Sequence, residues 1–314
     1  MKVGVVLPHF SDGCTWDRLI GFAPEVERLG YSSVWARDHL SYSPGPVDPP
    51  GSRFLEPCVT LAAVAARTSR LEIGFTVLIP LRHPLIATQL LGSLSWVAQG
   101  RLMVGIGIGG PTKQFEVLGI PYADRIGLCE ETAQLIKLAS SGSAFSFHGR
   151  FVDAEAVVIN PAVPDGTPMW YGGCSPAALR RAAKFCDGIM PFRTPFRVFD
   201  SAADELRRLG DASGKQMRLG MVALLSIDRK HDAAVEKVSE PLSALMQPLR
   251  DEGVEPTLAD VAGAVVVGDS DDCVEQMAAY ASRGIDHVVL DCRSRMEDYE
   301  DMLRQFAEEV LPRI

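Results

Sequence analysis

Short apolar runs alternate with longer stretches whose apolar residues recur at helical spacing, from one end of the chain to the other, and no other feature restricts the fold as much. Val3 to Pro8 reads as a strand. Asp17 to Leu29, with Leu19, Ile20, Ala23, Val26 and Leu29 on one face, reads as a helix that Gly30 stops. The same pattern predicts strands over 34–36, 71–78, 102–108, 169–172, 188–191, 219–227 and 287–290. Helices are predicted over 56–68, 84–99, 124–139, 176–185, 199–209, 232–249, 271–283 and 297–311, and residues 257–268 fit a helix followed by a strand. Eight strands, each followed by a helix, in 314 residues fit a closed parallel (β/α)8 TIM barrel better than an open sheet, because such barrels take about 250 residues plus insertions. The expectation is one domain over residues 1–314, with insertion loops at about 41–54 and 140–167 lying over the scaffold as lids.

Composition narrows the partners. Hydrophobic residues make up 47% of the chain, enough for a large core, yet the longest apolar runs fall well short of a membrane span, which takes about 18 residues. The start Met1-Lys2-Val3 runs straight into a strand and Pro8, so a cytoplasmic protein with no membrane partner is expected. Forty acidic and 31 basic residues, spread without long runs, give a net charge of -9 and argue against a nucleic-acid surface. Seven cysteines (14, 58, 129, 174, 186, 273 and 292) with no Cys-x-x-Cys pair argue against a disulfide framework and against a metal site.

In such a barrel, chemistry sits at the carboxyl ends of the strands. The second strand ends in Asp38-His39, which marks that pair as the first candidate site. Val104-Gly-Ile-Gly-Ile-Gly-Gly110 has its third glycine out of place for a dinucleotide fingerprint, and no helix is expected directly after it. Gly107 and Gly109 instead suggest a strand end kept bare so that a flat ligand can lie against the backbone. In Trp170-Tyr-Gly-Gly-Cys-Ser-Pro176, Gly172 and Gly173 lead into a helix start capped by Ser175, with Pro176 at its first position. Free amides at such a start form an anion site, although a plain capped turn has the same spacing.

As an ordered set, these stretches resemble the bacterial luciferase-like flavin and deazaflavin oxidoreductases. The resemblance rests on Gly30-Tyr31 through Asp38-His39, Thr68-Ser-Arg-Leu-Glu-Ile-Gly74, Pro80-Leu-Arg-His-Pro84 and Gly100-Arg-Leu102 with the glycines that follow. It continues through Trp170-Tyr-Gly-Gly173, Arg180-Arg-Ala-Ala183, Asp187-Gly188 and Tyr280-Ala-Ser-Arg-Gly-Ile-Asp-His-Val288, covering nearly the whole chain. It implies a (β/α)8 barrel, commonly a homodimer, that holds FMN or the 5-deazaflavin coenzyme F420 at the carboxyl ends of its strands. The Asp-His pair is more typical of the deazaflavin branch, so Asp38 and His39 carry the choice of cofactor. The resemblance also implies a non-prolyl cis peptide under the central ring, at Thr76 and Val77.

The chain departs from one branch of that family. Deazaflavin-dependent sugar-phosphate dehydrogenases place an acidic glutamate after the strand-four glycines and a tryptophan in the loop after the Asp-His pair. Here those places hold Gly110 and Leu40-Ser-Tyr-Ser43. His39, as a histidine titrating near neutrality, is therefore the candidate proton donor or acceptor, with a purely orienting hydrogen bond as its other reading. His9, Tyr42 and Arg193 are candidates for the substrate pocket. The expected activity is hydride transfer between the reduced deazaflavin and a C=C, C=N or C=O bond of a small molecule. The alternatives are an FMN-dependent monooxygenase and a non-catalytic flavin-binding homologue.

Overall fold

The computed structural model describes residues 1–41 and 51–314, so Tyr42 lies outside the described residues. Eleven strands are described: β1 (Lys2–Val6), β2 (Ser33–Ala36), β3 (Glu72–Phe75), β4 (Leu102–Ile106), β5 (Phe145–His148), β6 (Asp153–Val157), β7 (Met169–Tyr171), β8 (Gly188–Ile189), β9 (Arg218–Ile227), β10 (Val265–Gly268) and β11 (His287–Asp291). Strands β1, β2, β3, β4, β7, β8, β9 and β11 pair in that order, all parallel, and β11 returns to β1, which closes an eight-stranded barrel. The fold class read from the sequence is the one observed. Residues 257–268 form a short turn of helix, Leu258–Val261, and then β10, which pairs with Leu224–Ile227 at the upper end of β9 beside the ring.

Four local readings are corrected. The excursion at 140–167 contains the antiparallel hairpin β5–β6, whose Phe145 and Phe147 alternate with polar residues. A helix does follow the strand-four glycines closely, Thr112–Val117. The span 232–249 is two helices, His231–Glu236 and Ser239–Asp251. Pro241, which has no N–H to donate, sits in the first turn of the second helix, where an amide has no partner within the helix.

The fourth correction matters most for the site. The strand expected over 71–78 is regular only to Phe75. Gly74 is opposite Met103 and Leu78 is opposite Ile106, so four steps on one strand face three on the other and the chain bulges at Thr76 and Val77. The Thr76–Val77 peptide is cis.

Large side chains fill the barrel's interior. Trp35, Met103, Trp170, Met190, Val222 and Val289 pack together there, with His287 fully buried among them. The Trp35 ring lies so close to Gly74 that a Cβ there would come within 2.5 Å of it. Ser33 Oγ meets His287 Nε2 at 2.7 Å and accepts from Trp35 Nε1 at 2.8 Å. Burial pushes His287 down to about 3, which keeps the ring neutral at ordinary pH. With the interior packed, the chemistry of such a barrel is placed above it, at the carboxyl ends of the strands.

Candidate active site

A cleft of about 560 Å³ opens there, within the range usual for small-molecule sites. Its walls come from the ends of five strands: Arg37, Asp38 and His39 after β2; Thr76, Val77 and Ile79 after β3; Gly109 and Gly110 after β4; Gly172, Gly173 and Cys174 after β7; Met190, Pro191, Phe192 and Thr194 after β8. Of the residues expected from the sequence, Asp38, His39, Thr76, Val77, Gly109, Gly172 and Gly173 meet in this one space.

The bulge at Val77 explains two of the glycines. A Cβ at Gly172 would come within 2.6 Å of Val77 Cγ1, and one at Gly107 within 2.7 Å of Val77 Cγ2. The valine is wedged between two backbones that tolerate no side chain. Gly107 is thus buried beneath Val77 and acts as its seat. Gly109 and Gly173 both have positive φ, +71° and +142°, which suits glycine. At Gly110 an added Cβ would meet nothing within 4 Å among the described residues.

Asp38 serves the same bulge. Its carboxylate is buried and accepts from the Ile79 amide at 3.0 Å and from Arg82 Nη1 at 2.7 Å, while Arg82 Nη2 reaches the other oxygen at 3.0 Å. Arg82 also donates to Glu56 at 2.7 Å. Burial pushes the Asp38 carboxyl above its usual range, and the Arg82 fork and the Ile79 amide pull against it. The aspartate therefore fastens the segment carrying Thr76 and Val77 to the end of β2.

His39 is half-buried and presents its ring edge-on to Phe54. The Leu40 amide donates to Gln114 Oε1 at 2.8 Å, which turns the Gln114 amide nitrogen toward His39 Nδ1, also at 2.8 Å. Arg37 Nη2 lies 3.0 Å from His39 Nε2. Both neighbours are donors, and a neutral imidazole can accept at only one of its nitrogens. The ring's tautomer is thus coupled to the positions of Gln114 and Arg37.

Two pocket candidates are corrected. His9 is fully buried, with Nδ1 2.9 Å from the Leu7 carbonyl and Nε2 3.0 Å from the Arg37 carbonyl. Burial lowers it to about 4 against the pull of the two carbonyls, so the neutral ring, with a single N–H, donates to one of them and packs against the other between the ends of β1 and β2. Arg193 is 6% exposed, and its positive φ of 44° directs the guanidinium inward to Asp291 at 3.0 Å. Arg293 grips the same Asp291 oxygen at 2.7 Å. Burial opposes the Asp291 charge, but Arg293 and Arg193 outweigh it and hold the carboxyl well below the usual range.

The expected anion site is also revised. The Gly172 amide is used in the strand ladder, donating to Ile106 O at 2.8 Å. Ser175 Oγ accepts from Ala178 N at 3.3 Å as a helix cap, and Ser175 lies outside the cleft lining. Gly172, Gly173 and Cys174 of that turn line the cleft.

Sequence reasoning missed Arg82, Gln114, Arg37 and Phe192. Arg82 lies within Pro80-Leu-Arg-His-Pro84, and Arg37 adjoins Asp38. A single glutamine on a six-residue helix and a phenylalanine after a short strand give no signal of their own.

A family model described as luciferase-like monooxygenase matches residues 1–287. An uncharacterized protein of Mycobacterium tuberculosis is 32% identical over 209 residues, 62% of this chain and 72% of that one. An F420-dependent glucose-6-phosphate dehydrogenase of Microbacterium testaceum is 26% identical over 321 residues, 95% of this chain and 93% of its own. Among solved structures, an F420-dependent secondary alcohol dehydrogenase in complex with an F420-acetone adduct has the same fold, with a TM-score of 0.81 at 18% identity over 99% of this chain and 98% of the other. Among the described residues, no helix is long and apolar enough to cross a membrane.

Proposed function

The chain belongs to the luciferase-like monooxygenase family, and on that premise we propose that it is a coenzyme F420-dependent oxidoreductase acting on a small molecule, with hydride transfer to or from a C=C, C=N or C=O bond. The observation that carries this reading is the cleft floor. Val77, seated between Gly107 and Gly172 and fixed through Asp38, gives an apolar floor bordered by Gly109 and Gly173, where bare backbone leaves room for a planar ring. The match to an F420-dependent dehydrogenase along 95% of the chain supports the deazaflavin over FMN.

When bound, the deazaflavin supplies a hydride donor or acceptor with no useful reactivity toward oxygen, which makes this a reductase or dehydrogenase. The chain's own residues do the rest. Thr76 and Val77 support the ring, Gly109 and Gly173 let it approach the backbone, and Asp38 holds the support in place. With the Asp38 carboxylate held by Arg82 and the Ile79 amide, His39 is the group of the described cleft wall that holds or moves the substrate's proton, since Gly110 supplies no acid. Among the described residues, Gly110 also leaves space where a larger residue would restrict the substrate.

The working unit in this reading is a homodimer. Support comes from exposed apolar side chains on the neighbouring helices Pro57–Ala65 and Pro84–Val97, namely Val59, Ile86 and Trp96, the last 73% exposed.

Fluorescence titration with F420 and FMN side by side tests the cofactor assignment. F420 should bind at micromolar affinity or better and FMN at least about tenfold more weakly, a gap of about 1.4 kcal/mol. Tight FMN binding without F420 binding would overturn it in favour of the monooxygenase.

A further inference from the structure

Phe192 is exposed where its neighbours are not. It is 44% exposed inside the cleft, whereas Arg193 and Thr194 are 6% and 8% exposed. Its backbone is fixed: Phe192 bridges to Val222 of β9, and the Arg193 amide donates to Val222 O at 2.7 Å. The positive φ at Arg193 sends that side chain inward and leaves the Phe192 ring facing the cleft.

The buried side of the ring carries positive charge. The guanidinium carbons of Arg193 and Arg293 lie 5.1 and 4.9 Å from the ring centroid. Both groups contact the same Asp291 oxygen, at 3.0 and 2.7 Å, so they converge on one side of the ring. An aromatic face is ordinarily electron-rich and repels another π face laid flat on it. Cations behind the ring draw its π density toward them and weaken that repulsion on the open face. A saturated body placed there gains contact area alone, whereas a planar unsaturated one gains contact area and a relieved stacking term.

We propose that Phe192 is a stacking platform that sets substrate specificity, and that the cleft selects a planar, conjugated carbonyl compound over its saturated counterpart. The inference deepens the oxidoreductase reading and rests on it for the carbonyl group; the platform itself follows from Phe192, Arg193, Arg293 and Asp291.

Acetophenone and cyclohexyl methyl ketone share a skeleton and differ in the unsaturation of the ring. Their binding is to be measured by ligand-observed NMR, on the protein alone and on its dead-end complex with oxidised F420. Wild type should bind acetophenone about fivefold more tightly. Phe192→Leu, which keeps the apolar bulk, should bring the two within about twofold, and Phe192→Tyr should keep the preference. The F420 dissociation constant, measured without ketone, should be unchanged in both variants. Equal binding of the two ketones to wild type, saturable binding of neither, a preference that survives Phe192→Leu, or a loss of F420 affinity in that variant would each overturn the proposal. Failure of the cofactor reading registers separately, as absent F420 binding in the ketone-free titration of wild type.

Discussion

The two Nη groups of Arg82 close on the two carboxylate oxygens of Asp38, at 2.7 and 3.0 Å, and the Asp38 oxygen at the shorter contact also takes the Ile79 amide. The end of β2 and the segment after β3 are thereby joined by one buried charge pair. Arg82→Met would leave that carboxylate buried without its cation, which costs about 3 kcal/mol or more. The melting temperature should fall, and F420 affinity should fall with it at temperatures where the variant is still folded. Arg82→Lys should restore part of both. A variant with wild-type affinity would show that the cleft floor does not depend on the pair.

Val77 and Gly172 share a volume too small for another methyl group. Gly172→Ala should weaken F420 by at least about tenfold, because its Cβ falls 2.6 Å from Val77 Cγ1. Combining it with Val77→Ala should recover part of the loss, a non-additivity read from a double-mutant cycle of dissociation constants.

His39→Ala separates chemistry from orientation. If His39 moves the substrate proton, turnover at saturating cofactor should fall by about 10² to 10⁴ while F420 binding persists. Retention of more than about a third of wild-type turnover would assign His39 to orientation alone. Gln114→Leu should shift the pH profile of turnover, because it removes a donor facing the ring.

His9 gives the fold a pH dependence of known sign. The unfolded ring takes its proton near 6.5 and the folded one near 4, so between those values the unfolded chain holds more protons and stability rises with pH. Above 6.5 the His9 contribution is fully present, and acidification to 4 removes about 3 kcal/mol of it. His9→Gln should flatten the pH dependence of unfolding free energy, most of all near pH 5, in chemical denaturation compared with wild type. An unchanged slope there would mean that the folded ring is not held neutral.

Trp96→Glu places a charge on the most exposed tryptophan of the proposed dimer face. Sedimentation should then report a monomer at concentrations where wild type is a dimer. A dimer of undiminished affinity would locate the contact elsewhere.

The barrel was legible because its strands and helices repeat with different periods, and Asp38, His39 and the glycines were legible because such residues stand out at strand ends. The direction of a side chain after a strand end was not. Arg193 and His9 both follow strands, yet one turns inward through a left-handed backbone and the other sinks between two carbonyls. The amide of Gly172, at the end of the expected strand, was counted among the free donors of the helix start that follows, but the strand ladder uses it. The bulge at Thr76 and Val77 is a mismatch in register between two strands, and a single strand's sequence carries no record of its partner's step.

Arg37, Phe10, Arg293, Phe192 and Arg193 alternate cation and ring across the barrel mouth, with guanidinium-to-centroid separations of 5.2, 5.6, 4.9 and 5.1 Å. Asp291 anchors two of the three cations. Arginine surrenders about 2 kcal/mol of rotamer entropy when it is fixed in one position. In this wall that loss is incurred during folding, so an arriving ligand has little left to order. Affinity here can be reached with few contacts, and a change to Asp291 would loosen the mouth before it touched any atom of the substrate.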